Sequence, residues 1–314
     1  DLLFCRQFSN YNWKMNTPNQ QLQVEQLHSN QDSPRIGVFD SGVGGLSVLR
    51  ALWAEMPHLP VIYLADQAHV PYGPRPMDQV RLFSLEISRW LIQQGADLIV
   101  VACNTASAAA LYSLRQEFPG IPFVGMEPAI KPAAEQTRSG KVGVLATPAT
   151  FQGELYASVV ERFAHGVQLL QSTCPGLVDQ IEASELDSIN TKDILIQAIQ
   201  PMLAEHIDTI VLGCTHYPFV IPLVEEITGP QVRVIDPAPA VARQAHRLLR
   251  KRYPDDWRIQ TSDNELFPID LPSENTEFYT SGDTRKFEQS LRQLLGVQSQ
   301  VIPVFWADGV RITA

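Results

Sequence analysis

The chain has 314 residues, 45% hydrophobic and 18% charged, with a formal net charge of -10. This excludes a disordered or fibrous protein and supplies apolar residues for two domains of ordinary size. The acidic balance, with Arg250-Lys251-Arg252 as the densest basic run, argues against a nucleic-acid face; no apolar run approaches the roughly 20 residues that span a bilayer, so no membrane partner and a cytoplasmic location are expected.

Residues 1–34 are rich in Gln and Asn and lack a periodic apolar stripe, so they are expected to be disordered, with no role for Cys5. A strand is expected at 35–39, then the glycine-rich turn Asp40-Ser-Gly-Val-Gly-Gly leading into an apolar helix. That turn invites a dinucleotide reading, supported by Asp66 at the end of the strand 61–65. Against it, Ser47 stands where the third glycine belongs, and Asp40 would repel a pyrophosphate.

Residues 70–76, Val-Pro-Tyr-Gly-Pro-Arg-Pro, are too rich in proline for regular structure and are expected to form a loop over a cleft. A helix is expected over 77–94, with Val80, Phe83, Ile87, Trp90 and Leu91 on one face and Gly95 as its stop. The stretch Asp97-Leu-Ile-Val-Val-Ala-Cys follows. Ile99, Val100 and Val101 read as a parallel strand covered on both faces, which puts the thiol of Cys103 at a strand's carboxyl end. Ala106 to Ala110 read as the following helix, with Asn104 or Thr105 as its cap.

The chain then repeats itself. Lys141-Val-Gly-Val-Leu-Ala-Thr resembles Arg35-Ile-Gly-Val-Phe-Asp-Ser, and Asp208-Thr-Ile-Val-Leu-Gly-Cys copies the spacing that leads to Cys103, placing Cys214 in the matching position. Two similar α/β units facing each other across a cleft are expected. Between the copies lie Cys174, Glu182 and a helix over 191–206 capped by Thr191. Beyond them come a strand at 232–235, a helix over 240–252, a charged excursion at 253–277, a helix through Phe287 and Leu294, and a strand at 301–306.

The four cysteines show neither C-x-x-C nor a zinc spacing, so free thiols and no metal are expected. Either Cys103 or Cys214 alone could be a small buried hydrophobe, or a nucleophile partnered by His216 in a hydrolase. Two in matching places suit another task. Inverting a carbon centre needs a base on one face and an acid on the other, and a thiol with an ordinary pKa of about 8.5 can serve as either. Asp40 and His216 would orient or exchange protons with the thiols. Glu182 could equally be a solvated surface residue. No local signature marks a Schiff-base lysine, so no cofactor is expected.

The motifs Phe-Asp-Ser-Gly-Val-Gly-Gly at 39–45, Pro-Tyr-Gly at 71–73, Ala-Cys-Asn-Thr-Ala-Ser at 102–107 and Gly-Cys-Thr-His-Tyr-Pro at 213–218 resemble the glutamate racemases of the aspartate/glutamate racemase superfamily. The resemblance runs from about residue 35 to 296. It implies two flavodoxin-like domains with parallel sheets and the active site in the cleft, 126–241 being inserted into 35–125 plus 242–314. It also implies a cofactor-independent isomerase that interconverts L- and D-glutamate for peptidoglycan synthesis, with an aspartate or related amino-acid racemase as the alternative. Cys103 would take the proton from D-glutamate and Cys214 from L-glutamate, assisted by Asp40 on the first side and by His216 and Glu182 on the second. Substrate contacts would come from Asp40, Ser41, Tyr72, Gly73, Asn104, Thr105, Thr150, Thr215 and His216. A homodimer and a cell-wall precursor activator are the implied partners. The long N-terminal tail and the 253–277 excursion depart from the usual pattern.

Overall fold

The computed structural model describes residues 34–259, 273–307, 309 and 311–313, and the structural statements below concern these. The disorder expected for residues 1–34 falls outside them apart from Pro34, as does the 260–272 part of the charged excursion.

Among the described residues, ten strands form two parallel sheets and two more form a hairpin. The first sheet contains β1 (Ile36–Asp40), β2 (Val61–Ala65), β3 (Leu98–Val101) and β4 (Phe123–Gly125). The second contains β5 (Lys141–Ala146), β6 (Gln168–Ser172), β7 (Thr209–Gly213) and β8 (Arg233–Ile235). The chain then returns to the first sheet as β9 (Thr276–Thr280) and β10 (Val301–Pro303). The orders are β10-β9-β2-β1-β3-β4 and β6-β5-β7-β8, so β2-β1-β3-β4 and β6-β5-β7-β8 share one topology. The internal repeat seen in the sequence is therefore a repeat of architecture, with the two cysteine strands in equivalent places.

Each face of the first sheet feeds a different core. Val38 and Val100 point into a cluster that also holds Leu145, Ile210 and Leu212 of the second sheet, together with Leu177 and Ile181. Phe39, Ile99 and Val101 pack instead against Val80, Phe83, Ile87, Trp90 and Leu91 of the helix Met77–Gln93. Burial on both faces is what turns β1 and β3 into unbroken apolar runs rather than alternating ones. The shared cluster runs between the two sheets, so their carboxyl ends are held in register by apolar packing.

The repeated aspartate has a structural job in both copies. Asp97 Oδ2 accepts the backbone N–H of Arg35 at 2.9 Å, and Asp208 Oδ2 accepts those of Arg138 and Ser139 at 2.6 and 2.8 Å. Each carboxylate ties the entry of its own cysteine strand to the chain entering the neighbouring first strand.

Several expected boundaries shift. The helix Asn104–Glu117 is capped by Cys103, whose Sγ accepts from Ala106 N at 3.4 Å, rather than by Asn104 or Thr105. The helix Ile189–Ala204 is capped by Ser188, while Thr191 is buried and donates to the Glu185 carbonyl. The helix expected at 240–252 begins two residues earlier, as Ala238–Arg252. The excursion expected to last to 277 ends sooner, because Thr276 and Glu277 pair with β2. The strand expected at 301–306 is broken after Pro303, which has no N–H for a ladder. Past the break, β11 (Phe305–Ala307) pairs antiparallel with β12 (Arg311–Thr313).

Candidate active site

The carboxyl edges of the two sheets enclose a cavity of about 240 Å³, lined by both Cys103 and Cys214. That is small for a drug-like ligand and suited to a compact metabolite. Asp40 ends β1, in register with Ala65 at the end of β2. Cys103 lies two residues past β3, and Cys214 directly follows β7. Both thiols are 5% exposed.

The glycine-rich turn is not open for a phosphate. Three of its N–H groups are already committed: Gly42 and Gly45 donate to Asp40 Oδ2 at 3.1 and 2.9 Å, and Val43 donates to Glu182 Oε1 at 2.8 Å. A phosphate in this turn would have to displace two carboxylates from those three donors, which tells against the nucleotide reading of the turn and of Asp66. The glycines serve close approach instead. A Cβ on Gly42 would lie 1.9 Å from Glu182 Oε1, and one on Gly44 would lie 2.4 Å from His216 Nδ1.

The Cys103 side is dominated by burial. Desolvation, then the Asp40 carboxyl group beside it, push the Cys103 thiol well above its ordinary value. Asp40 is itself fully buried and its pKa is raised, chiefly by desolvation, against the opposing pull of His216 and the Gly45 N–H. Thr215 Oγ1 lies 3.5 Å from Asp40 Oδ1, which brings the second cysteine loop against the first.

The Cys214 side contains a relay. His216 Nδ1 is 3.8 Å from Cys214 Sγ, and its Nε2 is 2.6 Å from Glu182 Oε1. Burial opposes the imidazolium, but Cys214 and Glu182 outweigh it and raise the His216 pKa well above the ordinary value. Glu182, which could have been a solvated residue, ends the helix Leu177–Glu182 and faces the glycine turn of the other half of the chain.

Of the expected substrate contacts, Ser41, Tyr72, Gly73, Asn104, Thr105, Thr215 and His216 line the cavity. Asp40 and Glu182 stand behind that lining. Thr150 also stands behind it, since its hydroxyl meets that of Thr147 at 2.9 Å and Thr147 is the lining residue. Thr147 also lies 3.0 Å from Thr105 Oγ1. Sequence reading missed it, although aligning the two opening strands puts Thr147 opposite Ser41. Cys174 and Asp179 join the wall, and neither carries a spacing that would reveal it. Buried Cys174 has its thiol pushed up to about 12, first by desolvation and then by Cys214.

Asn104 is 3% exposed, yet neither its Oδ1 nor its Nδ2 has a hydrogen-bond partner. A buried amide without partners is costly, and one that lines a cavity is positioned to bind what enters it.

No helix among the described residues is long and apolar enough to cross a membrane.

Residues 45–245 match the Asp/Glu/Hydantoin racemase family. A glutamate racemase of Ectopseudomonas mendocina is 45% identical over 272 residues, covering 87% of this chain and 98% of that protein. The crystal structure of Francisella tularensis glutamate racemase in complex with D-glutamate superposes with a TM-score of 0.72 at 26% identity, covering 88% of this chain and 98% of that one. The Escherichia coli glutamate racemase in complex with L-glutamate and the activator UDP-MurNAc-Ala gives a TM-score of 0.72 at 29% identity, covering 90% of this chain and 100% of that one.

Proposed function

The chain belongs to the Asp/Glu/Hydantoin racemase family, and on that footing we propose that it interconverts L- and D-glutamate by proton transfer between two thiols, supplying D-glutamate for peptidoglycan. The observation that carries this reading is the pairing across one cavity of two cysteines with differently built surroundings. The relatives' names supply the substrate.

The mechanism follows from those surroundings. The raised pKa of His216 keeps an imidazolium 3.8 Å from Cys214 Sγ. Burial and Asp40 favour the protonated thiol at Cys103. With L-glutamate bound, Cys214 removes the α-proton, and Cys103 gives its proton to the opposite face. After release of D-glutamate, Cys214 is a thiol and Cys103 a thiolate, which is the state needed for the reverse direction. The Asn104 amide, Thr215, Ser41 and the Tyr72-Gly73 loop are the groups available to hold the two carboxylates and the amine of the substrate.

In this reading each sheet with its covering helices is one domain, 35–125 with 242–314 and 126–241, with residues 1–34 as an extension. The setting is the cytoplasm, the active assembly is a homodimer, and a cell-wall precursor of the kind bound by the E. coli relative is an activator. Sedimentation and titration with such a precursor test the last two. The central test is optical: purified protein and L-glutamate, without added cofactor or metal, should lose optical rotation to zero. Persistent rotation would refute the proposal.

A further inference from the structure

We propose that the C-terminal hairpin β11–β12 is a latch for the substrate loop 70–75, with Trp306 acting as a positioning residue for Tyr72 through Asp66; the substrate part of this inference rests on the reading of the cavity given above.

At the centre of the arrangement is Asp66, which directly follows β2 and is fully buried. Its two carboxyl oxygens join two distant parts of the chain, Oδ2 facing one and Oδ1 the other, with His69 Nδ1 also 3.2 Å from Oδ1. The Tyr72 hydroxyl donates to Oδ2 at 2.6 Å, and His69 Nδ1 lies 2.9 Å from the same oxygen. The Ser281 hydroxyl and the Trp306 indole N–H donate to Oδ1 at 2.6 and 2.7 Å. Two donors therefore come from the loop that lines the cavity, and two from residues more than 200 positions later in the chain.

The aromatic rings close the same arrangement. His69 stacks on Phe83 with centroids 3.9 Å apart, and Trp306 approaches both, at 5.0 Å from His69 and 5.3 Å from Phe83. Within the loop, Arg75 Nε donates to the His69 carbonyl at 2.6 Å. A proline-rich loop has few backbone donors with which to fix itself. Tyr72 lines the cavity and its hydroxyl is held by Asp66, so whatever fixes Asp66 sets the position of the ring that meets the substrate. Neither thiol takes part in this network. Loosening it should weaken substrate binding and leave proton transfer largely intact.

The test uses the full-length enzyme and Trp306→Phe, which keeps an aromatic ring but removes the N–H donor. KM for both glutamate enantiomers should rise about three- to tenfold with kcat nearly unchanged, as expected for loss of a binding interaction that is equal in ground and transition states. Hydrogen exchange at the backbone amides of residues 70–75 should accelerate, whereas exchange in β3 and β7 should not. Combined with Tyr72→Phe, the second change should add little, because both act on one contact. Ser281→Ala, which removes a second donor to Oδ1, should reproduce the effect if Trp306→Phe fails to fold. Unchanged exchange at 70–75 in a folded variant would overturn the latch, and so would a fall in kcat at constant KM. Because the exchange readout needs no substrate, it remains decisive even if the parent enzyme proves inactive on glutamate, an outcome that would refute only the racemase reading.

Discussion

Nδ1 of His216 lies 3.8 Å from Sγ of Cys214, so the thiol proposed to act on L-glutamate has a cation-forming ring at its side. Burial works against that cation, but Cys214 and Glu182 together hold the imidazole protonated above its ordinary range. A raised histidine keeps its proton at low and neutral pH and loses it as pH rises through the raised value. Glu182→Gln removes one of the supporting partners, so the imidazolium should be lost at lower pH. The alkaline limb of the kcat/KM profile is therefore expected to move down in pH, with activity at neutral pH lowered about tenfold or more. A profile that stays in place would show that Glu182 does not support the ring.

Cys103→Ser and Cys214→Ser should each lower racemisation by about a hundred- to ten-thousand-fold, the range for a lost general acid or base. The enantiomers have equal free energy, so kcat/KM must fall equally in both directions. Starting from L-glutamate in deuterated water, the parent enzyme should place deuterium in the D-product while residual substrate initially stays unlabelled. Early label in the starting enantiomer would point to a single base.

The unpartnered amide of Asn104 predicts a trade between binding and stability. Asn104→Ala should raise KM for glutamate about tenfold or more, since substrate groups lose a buried partner. Its thermal midpoint should stay level or rise, because an unsatisfied amide is removed from the interior. Steady-state kinetics and a melting curve on the same preparation decide it.

Gly42→Ala would set a methyl 1.9 Å from Glu182 Oε1, and Gly44→Ala one 2.4 Å from His216 Nδ1. Both should displace the relay, lowering kcat and costing about 1–3 kcal/mol of stability through overpacking. Gly120→Ala, with nothing within 4 Å of its added methyl, is the control and should behave as the parent.

Asp208 tests the strand-entry tie. Partial burial opposes its charge, yet hydrogen bonds from Thr137, Arg138, Ser139 and Thr209 lower its pKa from 3.8 to about 2. A depressed carboxylate stabilises the fold above its unfolded value and ceases to do so as pH falls through the folded one. Asp208→Ala should therefore cost about 1–2 kcal/mol at neutral pH by urea unfolding. The gap to the parent should narrow as pH drops from 3.8 toward 2.

The helix caps show where local reading stopped being sufficient. Asn104 and Thr105 have the right chemistry for a cap, yet the cap is Cys103, because β3 ends at Val101 and the turn begins two residues before any polar side chain. Thr191 likewise gives way to Ser188. Caps are chosen by where the chain leaves the sheet, and residue type alone cannot date that departure.

What the amino-acid sequence by itself determined was the apolar strands that lead to the site, the repeat and the two thiols, while β6, β9 and β12 carry no such signal and were not expected. Apolar runs and the Asp-x-Ile-Val-x-x-Cys spacing are properties of neighbours in the chain, and they place Cys103 and Cys214 at matching strand ends without any reference to distant contacts. The tertiary structure decided everything that depends on chain segments meeting. It carried Glu182 across to Val43 and His216, turned the glycine loop from a phosphate cradle into a seat for two side chains, and put Thr147 on the cavity wall with Thr150 behind it. It also brought Trp306 back to Asp66. Glu182 and Trp306 lie tens to hundreds of residues from the groups they meet; the core shared by the two sheets brings Glu182 across, and the cluster on the other face of the first sheet holds Trp306.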